Sequence, residues 1–203
     1  MIKELEQEVV RKLESHQHWV ETNGEKGEKL VIDEVDLQQL NLQPYRLDQA
    51  NVTDCLFNNM DLQGKDFHSS LLCSSAFVSA NLVNADFYRA DISYANFSNA
   101  SMENVRLAKA DCSETEFQDT NLKGANLAAC LLYLTDLRNS DLSEADISSA
   151  SFEETLLNGT SLIALRGIEE AIITSINIGT PENPILLEGM EARNWIINKS
   201  KNN

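Results

Sequence analysis

Along most of the chain one large apolar residue recurs at every fifth position. Residues 80–100, ANLVNADFYRADISYANFSNA, repeat a small residue, Asp or Asn, a bulky apolar residue and two mostly polar positions. An amphipathic helix spaces its apolar residues by three and four, and a half-buried strand spaces them by two. A period of five fits neither and predicts a chain that turns once per repeat. The bulky centres are the residue numbers ending in 2 or 7, and from Ile32 to Leu162 they make 27 centres in steps of five. All seven phenylalanines, Phe57, Phe67, Phe77, Phe87, Phe97, Phe117 and Phe152, share this phase. Two residues before the centre the middle repeats carry a small side chain, as at Ala80, Ala85, Ala90, Ala95 and Ala100. That predicts a second inward slot with little room. Just before the centre stand Asp and Asn, among them Asn81, Asp86, Asp91, Asp141 and Asp146, whose side chains bond the local backbone and favour turns.

Taken together, ANLVN, ADFYR, ADISY, ANFSN, ADCSE, ANLAA, SDLSE and ADISS resemble the pentapeptide-repeat family. The resemblance implies an all-β fold, a right-handed quadrilateral β-helix solenoid with one repeat per side and four per coil. Four sides per coil also find support in the residues, because side chains twenty apart should then stack. Leu37, Phe57, Phe77, Phe97, Phe117, Leu137 and Leu157 form one such column; Leu42, Leu62, Leu82, Met102, Leu122, Leu142 and Leu162 form another. At about 4.8 Å per coil, the rod would be about 32 Å long.

A solenoid must cover both ends. The predicted organisation is an N-terminal helix and loop cap over 1–29, the β-helix over 30–165, and a C-terminal strand-turn-helix cap over 166–203. Ile2, Leu5, Val9, Leu13 and Val20 mark one face of a helix over about 2–20. At the other end RGIEEAIITSINIG leaves the beat, with Gly167 where a centre should stand, and Leu187, Trp195 and Ile196 are expected to dock inward. Tyr45, Met60 and Lys65 intrude on the small slot. Either the coil flares there and the Lys65 amine reaches outward to solvent, which is the favoured expectation, or the amine meets a carboxylate such as Asp61 or Asp66.

A chain of 203 residues with 42% apolar content can bury a sizeable core, while its net charge of −16 argues against nucleic acid or an anionic membrane surface as partner. A cationic partner fits better. No run approaches membrane-spanning length and the charged N-terminus lacks a signal-peptide core, so a cytoplasmic location is expected. Cys55, Cys73, Cys112 and Cys130 lack zinc-ligand spacing and read as reduced thiols that do not converge. His16 and His18 fall on different helix faces and read as surface residues; His68 should be exposed. No nucleophile elbow, Walker loop or dinucleotide fingerprint is present, so no enzyme activity, cofactor or metal is expected.

Two functional expectations follow. The first is a non-enzymatic, protein-binding scaffold. The alternative comes from the resemblance, since some members of the family imitate duplex DNA and shield DNA gyrase from quinolones. Residues 30–165 hold 20 acidic and 7 basic residues. However, 10 of those acids occupy the turn slot before a centre, and the side with Arg46, Asp66, Asp86, Arg106, Asn126 and Asp146 alternates in sign.

The positions flanking each centre should be solvent-facing and polar, yet CLLYL at 130–134 places Leu131, Tyr133 and Leu134 there. With Tyr94 and Leu71 on the same side, these residues form a candidate protein-binding patch. Either the C-terminal segment folds back over it with Trp195, Ile196 and Ile197, or it is a docking surface for a protein partner, a second copy of the chain included.

Overall fold

A computed structural model describes residues 2–201, with side chains from residue 6 onward. The chain opens with helix α1 (Ile2–Glu21) and closes with helix α2 (Gly189–Lys201). Between them the five-residue beat becomes a ladder of period twenty. Asp61 bridges Asn81, Asp66 bridges Asp86, Leu71 bridges Asp91 and Ala76 bridges Asn96, all in parallel. The strands β1 (Val31–Asp33) and β2 (Asn51–Thr53) pair at the same offset, as do β3 (Leu131–Tyr133) and β4 (Ser151–Glu153). The fold is therefore a β-helix with four bridge columns, named below as the Leu131, Asp136, Asp141 and Arg106 faces.

Most repeats turn by the same local chemistry. Ala85 N–H donates to the Leu82 carbonyl at 3.0 Å, and most of its equivalents do the same along the rod, with Cys55, Thr135 and Thr155 among the exceptions. The residue just before each slot, from Gln49 to Ala164, has a φ between 51° and 76°. That is the left-handed region, which a type II turn needs at its third position, and no Val, Ile or Thr stands at any of these positions. The preceding Asp or Asn closes the other half of the repeat: Asp86 Oδ1 accepts from Tyr88 N–H at 2.8 Å and Asp141 Oδ1 from Ser143 N–H at 2.8 Å. The turn chemistry read from the sequence is thus present at the atoms that carry it.

The centres and slots fill the interior. Phe57, Phe77, Phe97 and Phe117 stack with centroids 4.4, 4.7 and 5.2 Å apart, and Phe87 meets Phe97 edge-on at 5.7 Å. Polar slot residues are satisfied inside. Thr115, Thr120 and Thr135 donate to the carbonyls of Ile92, Phe97 and Cys112 in the preceding coil at 2.7–2.8 Å.

The first coil departs from this order. Pro44 stands where the turns from Gln49 onward have a positive φ and a free N–H, and a proline supplies neither; Gln39, one turn earlier, lacks the positive φ as well. The Asp141 and Arg106 columns begin only at Asp61 and Asp66. The coil flares as expected, but Lys65 does not reach solvent: it is 6% exposed, and its Nζ donates to the carbonyls of Leu42, Gln43 and Tyr45 at 2.7, 3.2 and 2.9 Å. Separated coils leave carbonyls without partners, and a long side chain with three donors can meet them.

The N-terminal cap also corrects one expectation. Val9 and Leu13 are buried on the end of the rod, Val20 is half-buried, and the side chains of Ile2 and Leu5 lie outside the described residues. His16, read as a surface residue, is fully buried. Its Nδ1 accepts from Leu30 N–H at 3.1 Å, which leaves Nε2 to donate to the Asp48 carbonyl at 3.1 Å.

The ladder runs past residue 165. Asp146 bridges Arg166, β4 pairs with β6 (Ile172–Ile173), and β5 (Thr155–Leu156) pairs with β7 (Ser175–Asn177). Ser151 faces Ile172, an offset of twenty-one, so one residue is inserted near Gly167 and the beat then resumes. Gly167 has a φ of 77°, and a Cβ there would come within 2.4 Å of the Ser148 backbone nitrogen. β8 (Leu186–Glu188) returns antiparallel to β7, with Leu187 half-buried. Then α2 closes the end through buried Ala192 and Ile196, with Arg193 donating to the carbonyls of Ile168 and Ala171 at 2.5 and 2.7 Å. Among the described residues no helix is long and apolar enough to cross a membrane.

Candidate protein-binding surface

The strand β3 shows why its residues are exposed. The Leu132 centre is fully buried, so the flanking Leu131 and Tyr133 must point outward, and they are 49% and 41% exposed. Leu134 follows at a φ of 51° and is half-buried; Tyr94, two coils away, is 59% exposed at a φ of 60°. A bulky side chain at positive φ strains the backbone more than the Asn, Ser or Gly found at half of such positions. Glu114 lies between Tyr94 and Leu134 in the stack. Hydrogen bonding to Glu114 and its negative charge push the Tyr94 phenol above its ordinary pKa.

Leu71 stands apart. It is exposed on the same face, but Asp91 and Asp111 separate it from Leu131 along the bridge column. On the other side of β3, Leu131 pairs through Ser151 with exposed Ile172. The apolar patch therefore centres on Leu131, Tyr133 and Leu134 and extends toward Ile172 and Tyr94.

The C-terminal segment does not fold back over it. Ser200 receives the N–H groups of Ala164 and Leu165, which sets α2 on the end of the rod. Trp195 and Ile197 are half-buried there beside Ile196. What the segment does build is a cleft of about 480 Å³ at the corner of the Leu131 and Asp136 faces. Pro181, Pro184 and Leu186 form one wall; Leu134 and Leu156 with Glu114, Glu116, Asp136 and Glu154 form the other. Arg138 holds Asp136 with Nη2 to Oδ2 at 2.6 Å, whereas no cation pairs with Glu114, Glu116 or Glu154 among the described residues.

Charge is divided by face. The Leu131 face carries Asp33, Glu34, Asp54, Asp91, Asp111, Glu114, Glu153 and Glu154 and no Lys or Arg. The Arg106 face gathers Arg46, Arg89, Arg106, Lys109 and Arg166 beside its aspartates. There Arg106 pairs with Asp86 at 2.8 Å and lies 4.1 Å from the centre of the Tyr88 ring.

The other chemistry-bearing residues are accounted for locally. Cys55, Cys112 and Cys130 are buried free thiols and Cys73 is half-buried. Burial pushes Cys55 up to about 11 and raises Cys73, while a bond donated to Cys130 together with burial raises Cys112. Thiols shifted this way are poor nucleophiles. The four do not converge as a set, as expected, and within the core Cys112 and Cys130 are neighbours. Sequence reasoning missed a cluster at the flared coil, where ligand atoms of Asp48, Asp66 and His68 lie within 4.8 Å of one another. Arg46 already occupies it: Nε and Nη2 donate to the two Asp48 oxygens at 2.8 and 3.1 Å. Burial alone would raise the Asp48 carboxyl, but this fork outweighs it and holds the group below its ordinary pKa. His68, half-exposed, meets Asp66 at 2.9 Å.

Two family models match the chain, one described as Pentapeptide repeat region over residues 50–127 and one as Pentapeptide repeats (8 copies) over residues 120–159. A search of curated proteins finds no match. Among solved structures, HetL, a pentapeptide repeat protein involved in heterocyst differentiation regulation from the cyanobacterium Nostoc sp. strain PCC 7120, is similar at 22% identity, covering 68% of this chain and 62% of HetL, with a TM-score of 0.39. A pentapeptide repeat protein of the Arabidopsis thaliana thylakoid lumen is similar at 24% identity over 54% of this chain and 66% of that one, with a TM-score of 0.36. QnrB1, a plasmid-mediated fluoroquinolone resistance protein, is similar at 21% identity over 72% of this chain and 78% of that one, with a TM-score of 0.41. The match thus spans less than two thirds of the length of HetL and of the Arabidopsis protein.

Proposed function

The chain belongs to the pentapeptide-repeat family, and from that premise we propose that it is a non-enzymatic scaffold that binds a protein partner through the Leu131 face. The observation that carries this reading is the apolar patch of exposed Leu131 and Tyr133 with half-buried Leu134, in a chain whose equivalent positions are mostly polar. Aromatic and aliphatic clusters ringed by charge are the common centre of an interface. The filled interior supports a role without catalysis. Four bridge columns support a quadrilateral coil, and its parallel crossovers support the right hand that such connections take. Four free cysteines support a reducing, cytoplasmic setting. Replacing Tyr133 and Leu134 with Ser tests the docking role. Recovery of partners on immobilised protein should fall while the melting temperature stays within a degree or two; loss of stability with unchanged association would overturn the reading.

A second reading, imitation of duplex DNA toward DNA gyrase, is favoured by the eight carboxylates on the Leu131 face with no base among them. Those acids span about seven coils, about 30 Å at the usual strand spacing. That is about one charge per 4 Å, against one per about 1.7 Å of duplex. The mismatch ranks this reading second. A supercoiling assay with and without a quinolone decides it, and no effect at high protein excess removes it.

A further inference from the structure

Resting on the docking reading above, we propose that the Leu131 face takes a basic, apolar-bearing segment of a partner protein, with one arginine or lysine side chain seated in the corner cleft. Two subsites meet at Leu134. Leu131 and Tyr133 offer an open apolar platform, and the cleft beginning at Leu134 carries Glu114, Glu116 and Glu154 without a neutralising cation among the described residues. A cleft of about 480 Å³ is far larger than a single ion needs and accepts a long side chain. Its opposite wall of Pro181, Pro184 and Leu186 suits the methylene stem of such a residue while the charged head meets the carboxylates. A guanidinium fork can engage two carboxylates at once, so arginine fits better than lysine.

The same charges exclude other occupants. An acidic segment would set like charges opposite one another. A second copy bound face to face about a twofold axis would do the same, because such an interface puts one surface against itself. The Arg106 face, with its bases, is not part of the patch.

Four fluorescein-labelled decapeptides test the assignment by anisotropy at 0.15 M salt with the full chain: Leu/Arg, Leu/citrulline, Ser/Arg and Leu/Glu. The Leu/Arg peptide should bind at least tenfold tighter than each of the others. Glu114→Gln with Glu154→Gln should weaken it at least fivefold and leave the Leu/citrulline peptide unchanged; Tyr133→Ser with Leu134→Ser should weaken both. Melting temperatures of both double variants should match the parent. Equal binding of Ser/Arg and Leu/Arg would reduce the effect to bulk acidity and overturn the proposal, as would Gln variants that bind Leu/Arg normally. If Leu/Glu or Leu/citrulline binds as tightly and still needs Tyr133 and Leu134, the docking reading stands and the cationic assignment falls. Should no peptide respond to the Tyr133 and Leu134 changes, both fall.

Discussion

Between residues 80 and 150 each coil hands its backbone groups to the next, whereas the coil at 41–48 meets its neighbour largely through side chains. In the middle, Leu82 N–H reaches the Ser101 carbonyl at 2.7 Å and Ser101 N–H returns to the Ala80 carbonyl at 3.0 Å. At the first coil, Gln43 Nε2 reaches the Asp61 carbonyl at 3.1 Å and Lys65 Nζ reaches three carbonyls, until Gln49 N–H regains the ladder at the His68 carbonyl. The difference traces to slot size and turn chemistry. Alanine in the slot lets coils close to strand spacing, while Tyr45 and Lys65 hold them apart and Pro44 denies the turn its conformation. A repeat fold tolerates such a coil only where long polar side chains reach the carbonyls it orphans.

Substitutions in the two regions should fail for different reasons. The largest effect belongs to the middle: Phe97 is fully buried between Phe77 and Phe117, so Phe97→Ala should cost about 3–5 kcal/mol by denaturant titration. Next comes the first coil, where Lys65→Met keeps the length but removes every donor. Leaving buried carbonyls unmet should cost about 1–3 kcal/mol. A result near zero would show that water or a shifted coil replaces the amine.

The N-terminal cap adds a pH test. Burial lowers the His16 pKa, so the folded chain binds fewer protons at this residue than the unfolded chain. The stability it contributes is present above the unfolded value of about 6.5 and is lost as pH falls through the lowered folded value. Protonation would also put a proton on Nδ1, facing the Leu30 N–H it now accepts. The melting temperature should therefore drop below about pH 6.5, and His16→Gln should flatten that part of the profile. A profile unchanged by the substitution would place the acid sensitivity elsewhere. The smallest effect is a control in the middle coils: Ser98→Ala, at an outward position, should change stability by less than about 0.5 kcal/mol.

What could be read in advance follows the range of the interaction. The turn slot at Asp86 was legible because its partner, Tyr88 N–H, is two residues away. The phenylalanine column was legible because a strict period of five folded four to a coil places Phe77 over Phe57 whatever the rest of the chain does. His16 was not, since its partners lie 14 and 32 residues away and an irregular loop intervenes. Lys65 was half legible: its misfit to the slot predicted the flare, but nothing local said that the Leu42, Gln43 and Tyr45 carbonyls would lack partners. The one-sign Leu131 face was open to reading, because counting charges at positions twenty apart on every face, rather than on the Arg106 face alone, separates it.

The coil follows from the order of residues alone: the centre, the slot and the turn are each set by contacts within a few residues or by a fixed stacking period. Where the C-terminal segment rests is set by long-range packing. Two apolar surfaces competed for it, the side patch at Tyr133 and the open end of the rod, and both were visible in the chain. The end prevailed because it offers bare backbone carbonyls as well as apolar area. Arg193 and Ser200 meet backbone groups there while Ala192 and Ile196 are buried, so one placement answers both costs. Tyr133 and Leu131 were left open to solvent by that choice.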